Sequence, residues 1–373
     1  MCSYIVLIFF VLFALSFRKI RLTVTPDGEY ISHERTRAYN AFAMLLIILG
    51  HACIHVPGLA EANETYDSLY GGVFRIWAVG AFFFFSGYGI MESIRKSGRV
   101  YVRKLMCKRF PHVLFVLLAL NLIPGIISLS LYQNTTEQLL SLLSLTLGFT
   151  VGGPWFIHVT LLLYILTWAT FTLFGTSNGK RTALALFVIT FLVSFLLSPI
   201  RPWFWLDTIL CFPLGMLLSS NRAAFEQILQ KCPIPHFIPG SLLILIGAWC
   251  SAHYWEFASK INFHLGTSGF YADFIRNTCG NISVLPLIIG GILCLGCIEL
   301  KKPNRFLQWF GGPAVIYLYL LHFIPILGIT RTGLAHEQPG AATIIIIINS
   351  IILAFIAQSS VTCLFKLLPH KSA

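Results

Sequence analysis

Six ionisable side chains, His51, Arg75, His112, His158, Asp207 and His322, fall inside stretches otherwise apolar enough for lipid. At bilayer depth each costs on the order of 2.5 kcal/mol or more, so each needs either a partner or a chemical role. Histidine suits such a role, because with an unperturbed pKa of about 6.5 a neutral imidazole takes a proton from a hydroxyl near neutral pH. His51 lies about ten residues into a helix entering from the cytoplasm and His322 about eleven, roughly 15 Å, so the spacing predicts both near the midplane. Arg75, His158 and Asp207 open helices that enter from the opposite side and predict a polar ring in the outer third. His112 opens its helix at the cytoplasmic side and reads as interfacial. The set predicts a polar cavity open to the outer face, with one imidazole acting as general base. The alternative for each histidine is a buried ring bonded to neighbouring backbone or side chains. The same two readings stand for Asp207, and for Arg75 snorkelling to the outer interface is preferred.

A second cluster is cationic. Arg95, Lys96, Arg99, Arg103, Lys104, Lys108 and Arg109 place seven basic residues in fifteen positions. That density can hold the phosphates of a nucleotide-like donor, or it can anchor the topology against anionic lipid.

The elements that position these residues are membrane helices. The chain is 57% hydrophobic and 11% charged, against about 25% charged in a soluble domain, which excludes a soluble fold. Apolar runs near the roughly 20 residues that span a bilayer recur at 1–17, 41–57, 72–92, 111–132, 156–175, 183–198, 205–220, 237–255, 282–298, 311–328 and 342–367. They predict an all-α polytopic bundle of about eleven spans. Leu139 to Val151 is shorter and reads as re-entrant or interfacial. The basic residues Arg18, Lys19 and Arg21 follow the first run instead of preceding it, so it reads as an uncleaved anchor. The longest expected outer loop is 256–281. The organisation expected is an N-terminal anchor and linker (1–34), a core (35–367) and a short tail (368–373).

Charge sets the orientation. Of the 26 Lys and Arg, 21 fall in alternate loops, while Arg201, Lys260, Arg276 and Arg331 fall in the others and Arg75 in a span. This predicts basic loops inside, the N-terminus outside and the C-terminus in the cytoplasm, in the plasma membrane. The net charge of +12 is explained without nucleic acid. Sequons at Asn63, Asn134 and Asn281 fall in expected outer loops. The ten cysteines lie mostly in apolar runs, where a thiol behaves as a small hydrophobe, and Cys294 and Cys297 have no His or second pair beside them, so no metal site is expected.

The run AYNAFAMLLIILGHA, ending at His51, resembles the first core helix of the membrane-bound acyltransferase 3 family, which acylates polysaccharides and other extracytoplasmic acceptors. AFFFFSGYGI, VRKLMCKRFPHV, PWFIHVTLLLYIL, FPLGML, which resembles the family's mid-chain Gly turn at Gly215, and YLYLLHFIPI follow in the family's order, and the resemblance spans about residues 35–367. It implies a ten-helix core with the N-terminal helix outside it. It also implies His51 as catalytic base, His322 at the Tyr-Leu-His position, and Trp155 and Phe156 as an aromatic pair. Arg103, Lys104, Lys108 and Arg109 would contact the donor, acetyl-CoA or another acyl-CoA, which serves as co-substrate with no permanently bound cofactor. One departure stands out: the family places Arg eleven residues before the histidine, where this chain has Asn40. Arg37, almost one turn earlier, can reach a similar place from the same face.

The expected reaction is acyl transfer from a cytoplasmic thioester to a hydroxyl of a carbohydrate or glycolipid acceptor outside. His51 and His322 form its centre, Arg37 joins the donor set, and Asn40, Arg75, Ser86, Trp155, His158 and Asp207 line the substrate cavity. Ser86 and the backbone around Gly87 are the candidate oxyanion donors. The alternative is a transporter or flippase for a sugar or lipid-linked intermediate, which also places ionisable groups at the midplane. The internal repeats such proteins often carry are not evident.

Overall fold

The computed structural model describes residues 17–22, 30–132, 154–232, 234–300 and 305–367. The expected anchor up to residue 16, the stretch Leu139 to Val151, the sequon at Asn134 and the tail 368–373 lie outside the described residues.

Among the described residues the architecture is helical apart from one small ladder. A strand at Phe17–Ile20 (β1) pairs antiparallel with one at Ile298–Leu300 (β2), and Arg21 bonds Glu299 at 3.2 Å beside it. The long helices are α1 (His33–His55), α4 (Arg75–Lys104), α5 (Phe110–Tyr132), α6 (Trp155–Phe174), α7 (Gly179–Leu197), α10 (Phe237–Leu265), α11 (Phe270–Gly296) and α16 (Pro339–Leu367). Short helices complete the chain: α2 (Pro57–Ala62), α3 (Glu64–Leu69), α8 (Cys211–Ser220), α9 (Arg222–Lys231), α12 (Arg305–Phe310), α13 (Val315–Leu321), α14 (Phe323–Thr330) and α15 (Leu334–Glu337). Among the described residues seven helical stretches are long and apolar enough to cross a membrane, with α4 and α5 running on as one stretch, Gly71–Asn121.

Helix α1 is the centre of the bundle. Ser32 caps it by accepting from the Arg35 amide at 3.2 Å, and Val56, held extended ahead of Pro57, ends it. Residues 43–50 are buried on every side, as expected of a helix apolar all round. The Trp77 indole donates to the Tyr39 hydroxyl and ties α1 to α4.

Close backbone packing holds α4 against α8. A side-chain carbon on Gly87 would fall 2.0 Å from the Phe212 carbonyl, and one on Gly215 would fall 2.0 Å from the Phe84 carbonyl. Small residues bring membrane helices this near when greasy surfaces alone give no driving force. Gly215 therefore belongs to a helix interface and not to a turn, and Gly87, inside the α4 ladder, supplies packing rather than an oxyanion donor.

Several expected boundaries move. The basic segment 93–109 is helical: α4 runs to Lys104 at about 45 Å total length, well past the hydrocarbon, with a break at Gly98 (φ 54°) that other residues rarely adopt, and a π-helical turn, Leu105–Arg109, joins it to α5. The loop expected at 256–281 is the end of α10, a four-residue turn and the start of α11. The run 205–220 yields only the ten-residue α8, about 15 Å and too short to span. The run 311–328 breaks at His322 into α13 and α14. The sequons at Asn63 and Asn281 are buried, with the Asn281 amide bonded to Leu206, Leu210 and Asn277 backbone.

Candidate active site

The two histidines singled out by sequence meet. His51 Nδ1 and His322 Nε2 are 2.7 Å apart, and the rings stack with centroids 5.0 Å apart. His322 is fully buried at the junction of α13 and α14, and its Nδ1 lies 3.0 Å from the Leu318 carbonyl. A carbonyl can only accept, so Nδ1 of His322 carries the hydrogen and its Nε2 is an acceptor. His51 then donates from Nδ1, and Nε2 of His51 is the basic nitrogen. The arrangement, backbone carbonyl to imidazole to imidazole, fixes a tautomer in the way a base needs.

Phe323 stacks on His51 at 4.9 Å and packs against His55 at 5.4 Å. His55 lies one turn beyond His51, exposed at the end of α1. It is not among the residues singled out from sequence, although the spacing of four in HACIH puts both rings on one helix face. His51 stands eighteen residues from the start of α1 and four from its end. It is thus about 6 Å from the far end of that helix instead of midway along it.

A cavity of about 830 Å³ opens at the other end of α1, near the basic stretch of α4. Its lining includes Arg37, Asn40, Ser86, Lys96, Arg109 and His112, so His112 faces the cavity and is more than an interfacial residue. Arg222 and Glu92 also reach it. Glu226 pairs Arg222 at 2.8 Å, and Glu92 accepts from Arg95 at 2.9 Å and Ser219 at 2.8 Å. Arg109 donates to the Tyr101 hydroxyl at 2.9 Å and lies over the Tyr164 ring. Arg37 is set by the Gly311–Gly312 turn: a side-chain carbon on Gly311 would fall 1.7 Å from the Arg37 carbonyl, and one on Gly312 2.8 Å from its Nε. Arg37 and Asn40 thus share the cavity, as their one-turn spacing predicts. Arg103, Lys104 and Lys108 are exposed on the helix beyond Gly98 and are not among its lining.

The remaining candidates gather elsewhere. Arg75 pairs with Asp207 at 2.9 Å, reaches the Tyr254 hydroxyl at 3.4 Å and lies over Trp203. Asp207 is fully buried, so Arg75 is held by a carboxylate and does not snorkel. His158 stacks on Trp205 at 5.7 Å, and Trp155 packs against Phe204 at 5.5 Å. The single cavity expected from sequence is therefore two regions: Asn40 and Ser86 line the basic chamber, whereas Arg75, Asp207, His158 and Trp155 do not. His51 and His322 are likewise absent from the chamber's lining. Between chamber and dyad stands Phe156, which lines the chamber and packs on Tyr319 at 5.2 Å, and the Tyr319 ring is 6.0 Å from that of His322.

Chemically, this is a cationic chamber at one end of α1, a hydrogen-bonded imidazole pair near the other end, and aromatic rings between. No curated protein and no solved structure matches the chain. The family model described as an acyltransferase domain matches residues 40–359, most of the sequence including both histidines. A polytopic helical bundle carrying that domain over this much of its length is a membrane acyltransferase, and the chain belongs to the acyltransferase 3 family.

Proposed function

We propose that the protein transfers a short acyl group, acetyl in the simplest case, from acyl-CoA in the basic chamber to a hydroxyl of an extracytoplasmic carbohydrate or glycolipid. The observation that carries this reading is the 2.7 Å contact between His51 and His322. His51 Nε2 takes the proton of the acceptor hydroxyl as its oxygen attacks the thioester carbonyl carbon. The resulting imidazolium is held through Nδ1 by His322. As the tetrahedral intermediate collapses, the carbon–sulfur bond breaks, the thiolate takes the proton from His51, and an ester and free CoA leave.

The chamber suits the donor. Its volume lies within the ~300–1,000 Å³ typical of ligand sites, and Arg37, Lys96 and Arg109 offer the cationic donors that phosphates recruit. The same basic stretch, by the positive-inside rule, belongs at the cytoplasmic face, where acyl-CoA is made. Arg37 takes the electrostatic place that Asn40 leaves.

The test is transfer of labelled acetyl from acetyl-CoA into glycan by membranes that contain the natural acceptor. Loss of the base is expected to lower the rate by ~10²–10⁴-fold, so His51→Ala should bring it to background. Transfer by His51→Ala at the rate of the unaltered protein would overturn the proposal.

A further inference from the structure

The partition between chamber and dyad is built from aromatic rings. Phe156 is at its centre: its ring lies 4.9 Å from Phe83, 5.8 Å from Phe82 and 5.2 Å from Tyr319. Its position is also pinned through the backbone, because the Phe156 amide, at the start of α6 where helix amides have no partner within the helix, donates to the Tyr319 hydroxyl at 3.4 Å. Phe82 and Phe156 both face the chamber, while Phe83 and Tyr319 are buried behind them. Beyond Tyr319 come His322 and His51.

We infer that this four-ring partition selects acyl length, with Phe156 as the main specificity-determining residue. The inference rests on the donor reading given above. A chamber of about 830 Å³ has room for the bulky part of a donor. The acyl end, in contrast, must pass between or beside rings whose centroids are 5 to 6 Å apart. Aromatic rings packed to interior density do not yield space without strain. An acetyl carbonyl with one methyl beyond it makes the smallest demand, and each added methylene must displace a ring. Misfit of one methylene in an apolar slot discriminates by about 10–200-fold, so two should exclude a butyryl donor by about 10²-fold or more. Phe82 and Phe156 line the chamber, but its cations are Arg37, Lys96 and Arg109, so shortening a ring should change acyl preference more than donor affinity.

The experiment uses membranes that carry the natural acceptor, supplied in turn with acetyl-, butyryl- and hexanoyl-CoA labelled in the acyl group. The unaltered protein should transfer acetyl and pass butyryl at about one-hundredth that rate or less. Phe156→Ala should lower acetyl transfer and raise butyryl transfer until the two are within about tenfold. Phe82→Leu, a milder change on the same wall, should move the ratio in the same direction by less. It carries the test if Phe156→Ala does not accumulate. Equal transfer of acetyl and butyryl by the unaltered protein, or an unchanged ratio in the folded variants, would overturn the selector while leaving the donor reading intact. Absence of transfer from all three donors would overturn the donor reading and the selector with it.

Discussion

Two ionisable pairs, each with one fully buried partner, differ in kind. Arg75 and Asp207 are full charges, 2.9 Å apart and joined by Tyr254. His51 and His322 are a neutral pair at 2.7 Å, tied to a backbone carbonyl. A charged pair in a medium of low dielectric is held hard in place, because losing either partner strands the other. A neutral imidazole pair is cheaper to bury, and a single proton changes its state. The first pair fixes the packing of α4 against the segment before α8, and the second is able to move a proton. Ionisable residues inside a membrane thus divide by whether their charge is already spent on each other.

Substitution separates the two kinds of pair. Asp207→Leu leaves Arg75 buried without its carboxylate and should cost about 3–5 kcal/mol. The read-out is a large drop in the melting temperature of the detergent-solubilised protein, and adding Arg75→Met should recover most of it. A single variant as stable as the parent would show that the pair does not hold the fold. Smaller effects are expected in the chamber. Arg109→Ala removes a lining cation, and loss of one charge-assisted contact of about 1.5 kcal/mol should raise KM for the acyl-CoA donor by about tenfold. The smallest is Lys108→Ala: exposed beyond the Gly98 break and outside the lining, it should change KM by less than about twofold. Equal shifts at positions 108 and 109 would mean that the whole basic stretch binds the donor, contrary to the geometry.

Much of this was legible in the sequence. The bundle followed from hydropathy; His51 and His322 do meet, as expected of one shared site, but not at matched depths, since His51 stands near the end of α1 and the helix expected around His322 breaks there. Arg37 standing beside Asn40 followed from one helical turn. The failures share a cause. Hydropathy reports the medium a residue prefers, not the conformation of its backbone, so helix that extends past the lipid looks like loop. The basic stretch of α4 and the ends of α10 and α11, with Glu256, Lys260 and Arg276, were misplaced for that reason. The same blindness applied to packing. Gly215 carries a turn residue's signature yet serves close helix contact, and Asn281 carries a sequon yet spends its amide on the irregular segment Leu206–Leu210. The partition of Phe82, Phe83, Phe156 and Tyr319 was invisible because Phe runs are ordinary in membrane helices. Only their convergence from α4, α6 and α13 gives them a role.

If His51 and His322 act as one unit, a double-mutant cycle on acetyl transfer will show it. Removing His322 frees the His51 tautomer and should slow transfer, yet in a His51→Ala background there is no base left to orient. His51→Ala/His322→Ala should therefore be no slower than His51→Ala alone, as residues acting together lose their function once. Losses that multiply across the cycle would contradict it, and would separate the two imidazoles into independent roles.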